Sequence, residues 1–242
     1  MPIIQQPHSS WAEVYDLACE TTFGTHYEQL TKNTLQVIGD IITPPAKIVD
    51  FGAGTGRLSI PLAERGFEVT AVEPCSAMLK QLERKSPQCN LLTANMKMEE
   101  FAGCGNFDMA LCVFTVLLYL LDDDSLTKAL SAAHKSIRSG GLFLIDIPSR
   151  AIFTSSTFKN HFFKRYISVI KRTGDIFSYE ESIKIRLQDG SESRYKDAFS
   201  IRYWPIIRVM KVLQEDIGFV LEADFAHRFA SSGSHYCLLK KA

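Results

Sequence analysis

Asp50, Gly52, Gly54, Gly56 and Glu73 are the residues whose types and spacing carry chemistry. The run Ile48-Val49-Asp50-Phe51-Gly52-Ala53-Gly54-Thr55-Gly56-Arg57-Leu58 passes from an apolar stretch to an acid and then to three glycines on alternate positions. Glycines admit positive φ and let a ligand approach bare backbone. The helix that opens after them offers free N–H groups to an anionic group. A dinucleotide fingerprint, G-x-G-x-x-G, begun at Gly52 needs its third glycine at position 57, where Arg57 stands. Glu73 ends the next apolar run, 21 residues after Gly52, where an acid holds ribose hydroxyls in βαβ nucleotide sites. Asp50 adds a second negative charge where a dinucleotide brings its pyrophosphate. The two acids therefore favour a ligand with a cationic amino-acid end.

The surrounding pattern supplies elements to position these residues. Residues 47–51 read as a buried strand, and Leu58, Leu62 and Ala63 share one face of a following helix that Gly66 stops. Further strands are expected at 68–72, 89–92, 108–113 and 142–147. Asp122, Asp123 and Asp124 cap a helix in which Leu126, Ala129, Leu130, Ala133 and Ile137 recur at helical spacing, with Gly140-Gly141 as its end. The three acids read as caps and dipole partners, and no metal site is expected. Strands alternating with helices give a parallel, doubly wound α/β sheet. Ligands bind such sheets at the carboxyl ends of the strands, which here carry Asp50, Glu73, Asn95, Phe114 and Asp146.

Asp50-x-Gly52-x-Gly54-x-Gly56, followed by Glu73-Pro74-Cys75-Ser76-Ala77-Met78-Leu79, resembles motif I and the following acidic motif of class I S-adenosylmethionine (SAM)-dependent methyltransferases. The resemblance covers residues 47–148 well and the C-terminal part loosely. It implies a seven-stranded Rossmann-like sheet with a C-terminal reversed hairpin. It also implies SAM as cofactor, with S-adenosylhomocysteine as product. Asp50 and Gly52 would lie near the methionine end, Glu73 at the ribose, and Asn95 and Met96 near the adenine; Ala53, Gly54, Gly56, Pro74, Met78 and Phe114 would complete the cofactor site, and Tyr15 or Phe114 would offer the sulfonium an aromatic face. Methyl transfer is an in-line displacement that needs an aligned nucleophile and a dry pocket. A hydroxyl acceptor also needs a proton acceptor, whereas a neutral amine does not. Tyr119, Asp146, His161 and Tyr203 are candidates for that role, each with a plain structural alternative. The chain lacks the Asn/Asp-Pro-Pro-aromatic motif of amino-methylating nucleic-acid enzymes, having Val113-Phe114-Thr115-Val116 instead. The reading is N- or O-methylation of a small molecule, with an RNA methyltransferase or an inactive SAM-binding protein as alternatives.

Beyond Pro148 the pattern changes to antiparallel strands at 163–171, 176–188 and 192–204, turned at Thr173-Gly174-Asp175 and Asp189-Gly190. Pro205 opens a helix that stops at Gly218, and 219–229 with 234–240 fit the reversed hairpin. The inserted sheet resembles that of small-molecule enzymes such as amino-sugar and glycine N-methyltransferases, and is expected to close the acceptor pocket with Arg202, Tyr203 or Trp204. The expected divisions are a helical cap (1–42), a SAM-binding core (43–148), the insert (149–204) and a C-terminal helix and strand pair (205–242). In the cap, Trp11, Val14, Tyr15 and Ala18 share a face. The Tyr15-Asp16 pair either lines the site, as in related enzymes, or packs.

Charge is uneven although the net is zero. Residues 150–211 hold 13 Lys and Arg against 6 Asp and Glu. That balance reads either as steering for an anionic substrate or as a solvated, edge-protecting face. The six cysteines form no C-x-x-C or C-x-x-H pair, no secretory leader is read in residues 1–10, and no apolar run spans a membrane. A cytoplasmic enzyme, monomer or homodimer, is expected, with no membrane partner.

Overall fold

The computed structural model describes residues 6–86 and 91–242. Strands β1 (Lys47–Phe51), β2 (Glu68–Val72), β3 (Leu91–Ala94), β4 (Phe107–Cys112) and β5 (Ile137–Pro148) alternate with helices α3 (Ser59–Glu64), α4 (Ser76–Lys85) and α5 (Asp123–Ser136). Helices α1 (Tyr15–Phe23) and α2 (Thr25–Ile41) precede them. A meander of β6 (Ser156–Lys159), β7 (Phe163–Lys171), β8 (Ile176–Arg186) and β9 (Glu192–Arg202) follows, then α6 (Ile206–Lys211), β10 (Phe219–Asp224) and β11 (Ser234–Lys241). The large sheet has the order β10-β11-β5-β4-β1-β2-β3. Its first five strands are parallel, and β11 runs antiparallel to both β5 and β10. This is the expected doubly wound sheet with a reversed hairpin.

The central strands β1, β4 and β5 are buried on both faces over most of their length, so they read as apolar runs and do not alternate. Ile48, Met109 and Leu111 face Leu30, Ile38 and Leu62 on one side. Val49, Phe51, Ala110 and Cys112 face Leu126, Leu130 and Ala133 of α5 on the other. Asp122 caps α5 by accepting the Ser125 N–H at 2.7 Å, which satisfies one of the free donors of the first turn.

Several boundaries differ from the sequence expectation, among them the first strand of the reversed hairpin, which ends at Asp224 and not at 229. Helix α5 ends at Ser136, and Ile137 already belongs to β5. Gly140 and Gly141 lie within the strand, where Gly140 takes φ +72° and a Cβ at Gly141 would overlap Ile137. Apolar Ile137 suits the helix face and the strand equally, so spacing alone does not separate them. The third strand begins at Leu91, and Cys89 lies outside the described residues. The meander also has a fourth strand, β6, too short and polar to register as a period-2 run.

The meander forms its own sheet, β6-β7-β8-β9. Its apolar face is covered within the same chain. Phe163, Ile183 and Ile185 pack on Trp11 and Ala18, and Phe177 and Ile201 pack on Leu118 and Phe153. The N-terminal segment is thus held between the two sheets. No helix among the described residues is long and apolar enough to cross a membrane.

Candidate active site

The glycine loop leaves β1 with Gly52, Gly54 and Gly56 at φ +72°, +58° and +91°. Each has a different reason to lack a side chain. A Cβ at Gly52 would run into Val116, and one at Gly56 would lie 2.8 Å from Ile60 and 2.9 Å from Leu82. A Cβ at Gly54 would meet only the Met78 methyl at 3.6 Å. Gly54 therefore borders open space, whereas Gly56 is a packing requirement and lies outside the cavity wall. Glu73 clasps the loop: one carboxylate oxygen accepts the Gly54 N–H at 2.9 Å and the other the Cys75 N–H at 2.8 Å. Asp50 accepts the Ser59 hydroxyl at 2.5 Å. Burial pushes the Asp50 carboxyl up to about 6, with Ser59 and Arg57 pulling the other way. Burial also raises Glu73, against its two N–H donors.

A cavity of about 550 Å³ opens above this loop. One part of its wall is the glycine loop with Asp50, Glu73, Pro74 and Met78, continued by Lys97, Met98 and Glu99 and by Arg57 over Phe114. The other part is His8, Tyr15, Tyr119, Leu120, Leu121 and Ala198–Ser200, which includes no carboxylate, lysine or arginine. Helix α1 ties the two parts together, since Asp16 accepts the Thr55 hydroxyl and pairs with Lys85, both at 2.6 Å.

Of the residues singled out from sequence, Tyr15, Asp50, Gly52, Ala53, Gly54, Glu73, Pro74, Met78, Phe114 and Tyr119 line this cavity. Gly56, Asn95, Met96, Asp146 and Tyr203 do not. Asn95 turns its amide back to the Glu73 and Pro74 carbonyls at 2.9 and 3.0 Å. Met96 packs against the α5-side core. The wall is formed two residues later than expected, at Lys97–Glu99.

Asp146 has a structural task instead. Phe114 and Thr115 both take φ +69°, a costly conformation for two successive residues with side chains. Both Asp146 oxygens accept the Thr115 N–H, at 3.0 and 3.2 Å. The acid is 1 % exposed and its carboxyl is pushed up to about 6 by burial. It pins the turn that aims Phe114 into the cavity.

Tyr203 packs edge-on against Phe153 at 5.6 Å with Arg150 over its face. His161 is exposed and lies edge-on to Phe162. Arg202 stacks on Trp204 at 3.8 Å and reaches the Leu121 carbonyl and Asp123, while Trp204 donates to the Leu120 carbonyl at 3.0 Å. The end of β9 is thus used to hold the 116–123 loop, and the insert reaches the cavity through Ala198, Phe199 and Ser200.

Sequence reasoning missed His8, Arg57, Val116 and Phe199 as wall residues. Arg57 was within reach, being part of the glycine motif. The others carry no local signal, because only the packing of distant segments brings them together.

Residues 48–141 match the family described as a methyltransferase domain. This stretch is a methyltransferase domain. A Bacillus subtilis (strain 168) protein named as a methyltransferase, YqeM, is 30% identical over 157 residues, covering 62% of this chain and 61% of its own length. The chain spans between about half and three fifths of the length of the first curated relatives it matches. Two solved structures share the fold over nearly the whole chain. A SAM-dependent methyltransferase from Clostridium acetobutylicum ATCC 824 has a TM-score of 0.81 at 17% identity, covering 95% of this chain and 98% of its own. SAM-bound CalS10, an amino pentose methyltransferase from Micromonospora echinaspora, has a TM-score of 0.75 at 18% identity, covering 95% and 97%. The likeness extends beyond the methyltransferase domain to the meander and the hairpin.

Proposed function

We propose that this chain is a SAM-dependent methyltransferase acting on an amine nitrogen of a small, uncharged molecule. The observation that carries the reading is the two-part cavity: a glycine loop clasped by buried acids faces an aromatic wall without charge. SAM fits the first part by its chemistry. Gly54 leaves room for the methionine backbone, the buried Asp50, which accepts from the Ser59 hydroxyl, suits its ammonium, and Glu73 offers its remaining lone pairs to the ribose. Arg57, stacked on Phe114, is a counter-charge for the carboxylate. When bound, SAM supplies a methyl group on a positively charged sulfur. Phe114 and Tyr15 provide aromatic faces compatible with that charge.

The aromatic part favours an amine over a hydroxyl. A hydroxyl acceptor needs a base whose pKa lies near the working pH. His8 is held down to about 3 by burial and by Arg165, and burial raises the Tyr15 and Tyr119 phenols well above their usual value. None of these groups takes a proton from an alcohol near neutrality, whereas a neutral amine attacks without one. An anionic substrate is disfavoured because the aromatic part of the wall includes no lysine or arginine, and several basic groups of the insert and of α6 are engaged elsewhere. Arg165 pairs with Glu181, Lys184 and Arg194 with Glu192, and Arg202 and Arg208 with Asp123.

Titration calorimetry tests the first half of the reading. Micromolar SAM binding, about −8 kcal/mol, is expected, and tight NAD binding without SAM binding would overturn it. Matched amine and alcohol acceptors, followed by mass spectrometry of the methylated product, test the second half. Methylation of alcohols in preference to amines would reject it.

A further inference from the structure

We propose that His8 and Tyr119 form a fixed hydrogen-bonded pair that presents the Tyr119 hydroxyl oxygen, as an acceptor, to an N–H of the methyl-receiving substrate, and that Glu181 selects the imidazole tautomer required. This rests on the methyltransferase reading and names the residues that orient the substrate. His8 lies just before the first helical turn, Tyr119 in the turn after β4 and Glu181 in the middle of β8. His8 Nε2 is 2.7 Å from the Tyr119 hydroxyl, so one of the two donates to the other.

The far side of the ring decides which. Among the described residues, His8 Nδ1 is buried without a hydrogen-bond partner, and so is Glu181 Oε2, which faces it at 4.0 Å. With the hydrogen on Nδ1, a donor faces a carboxylate. With the hydrogen on Nε2, two buried acceptors face each other, which is unfavourable. The Nδ1–H form leaves Nε2 bare to accept the Tyr119 O–H. The phenol hydrogen is then turned away from the cavity, and the oxygen lone pairs remain for an incoming N–H.

The array is rigidly held. Glu181 accepts from Arg165 Nε at 2.5 Å, with both side chains buried. Arg165 lies over Trp11 and reaches Thr22. The His8 ring is met edge-on by Trp11, Tyr15, Tyr119 and Phe199, at centroid distances of 5.1 to 5.9 Å. The ionisable groups facing it are Arg165, Glu181, Tyr15 and Tyr119 from four different elements, and the Asp197 carboxylate of β9 lies near its backbone. Desolvation and Arg165 keep the imidazole neutral. His8 and Glu181 are therefore positioning residues, and Tyr119 is the group that touches substrate.

The test uses the whole chain, with ¹⁵N-labelled histidine. Without cofactor, the His8 ring is expected to be neutral with its hydrogen on Nδ1 between about pH 5 and 8. The Nε2 resonance should shift in Tyr119→Phe, and some Nε2–H form should appear in Glu181→Gln. A charged ring at pH 6, a dominant Nε2–H form or an unresponsive Nε2 resonance overturns the pair, and an unchanged tautomer in Glu181→Gln overturns the role of Glu181. In protein loaded with S-adenosylhomocysteine, aniline and toluene serve as probes of equal shape. Aniline affinity should fall about fivefold in Tyr119→Phe and in His8→Ala, while toluene affinity stays level. Absence of saturable aniline binding, or equal effects on both probes, overturns the substrate-orienting role. Failure of S-adenosylhomocysteine itself to bind would reject the functional reading instead, and the tautomer measurement, made without it, still stands.

Discussion

The two parts of the cavity wall are built on different principles. The glycine-loop side is made mostly of backbone and of acids within one βαβ unit, anchored on the central strands of the large sheet. The aromatic side is made of side chains from the N-terminal segment, the turn after β4 and β9, three segments far apart in sequence. The first side is rigid because the core is rigid. The second exists only while three separate elements stay packed together. Damage to the first side should therefore be local and severe, whereas damage to the second should be graded and sensitive to distant packing.

The sharpest break is expected at Gly54. A Gly54→Val protein should fold, since only Met78 borders the site, yet lose at least about a hundredfold in SAM affinity. The branched side chain fills the cleft and resists φ +58°. Unimpaired calorimetric affinity in a folded variant would mean that this loop is not the cofactor cradle.

A pH series gives the next largest effect. Asp50 has a folded-state pKa of about 6 against 3.8 for a free side chain, so the folded form holds its proton more tightly. Its contribution to stability is fully present below about pH 3.8 and is lost as pH rises through about 6. An ammonium ligand needs the ionised form, so SAM affinity should move the opposite way, weakening about tenfold from pH 7 to pH 5. Titrations at several pH values, repeated on Asp50→Asn, should show that the substitution flattens this dependence. A slope unchanged in Asp50→Asn assigns it to another group.

Asp146→Ala tests the turn behind Phe114. It leaves the half-buried Thr115 N–H without its Asp146 acceptor and should cost about 1–3 kcal/mol in denaturant unfolding. The pH profile of turnover should not move, because Asp146 pins a turn and lies outside the cavity wall. A shift in that profile would restore it as a base. The smallest effect is expected for Tyr203→Ala, with turnover within about twofold of the parent once its modest loss of packing is allowed for. A large loss of turnover at unchanged SAM affinity would return Tyr203 to the pocket.

The large sheet and the glycine loop were legible in the sequence because their signals are local. Asp50, the glycines and Glu73 sit at spacings that one βαβ unit dictates. Asn95 and Met96 were two residues short because the chain turns once more after β3 before it meets the cavity. Tyr203 and Asp146 lie off the cavity wall for another reason. A strand end carries its residues toward the site but does not say which of them turns into it. His8 and Phe199 had no local signal at all, since their role follows from how the N-terminal segment and the meander pack on one another.

That packing makes the protein its own optical reporter. The chain has two tryptophans. Trp204 is fixed beneath Arg202, but Trp11 is wholly buried, stacked on Tyr15 at 5.1 Å and covered by Arg165. In a Trp204→Phe background all indole emission comes from a residue packed on the wall residues His8 and Tyr15 on one side and against the meander on the other. Any lifting of the N-terminal segment exposes that ring to water and shifts its emission to longer wavelength. Any movement of that segment on ligand binding can therefore be timed by stopped-flow fluorescence with no label attached.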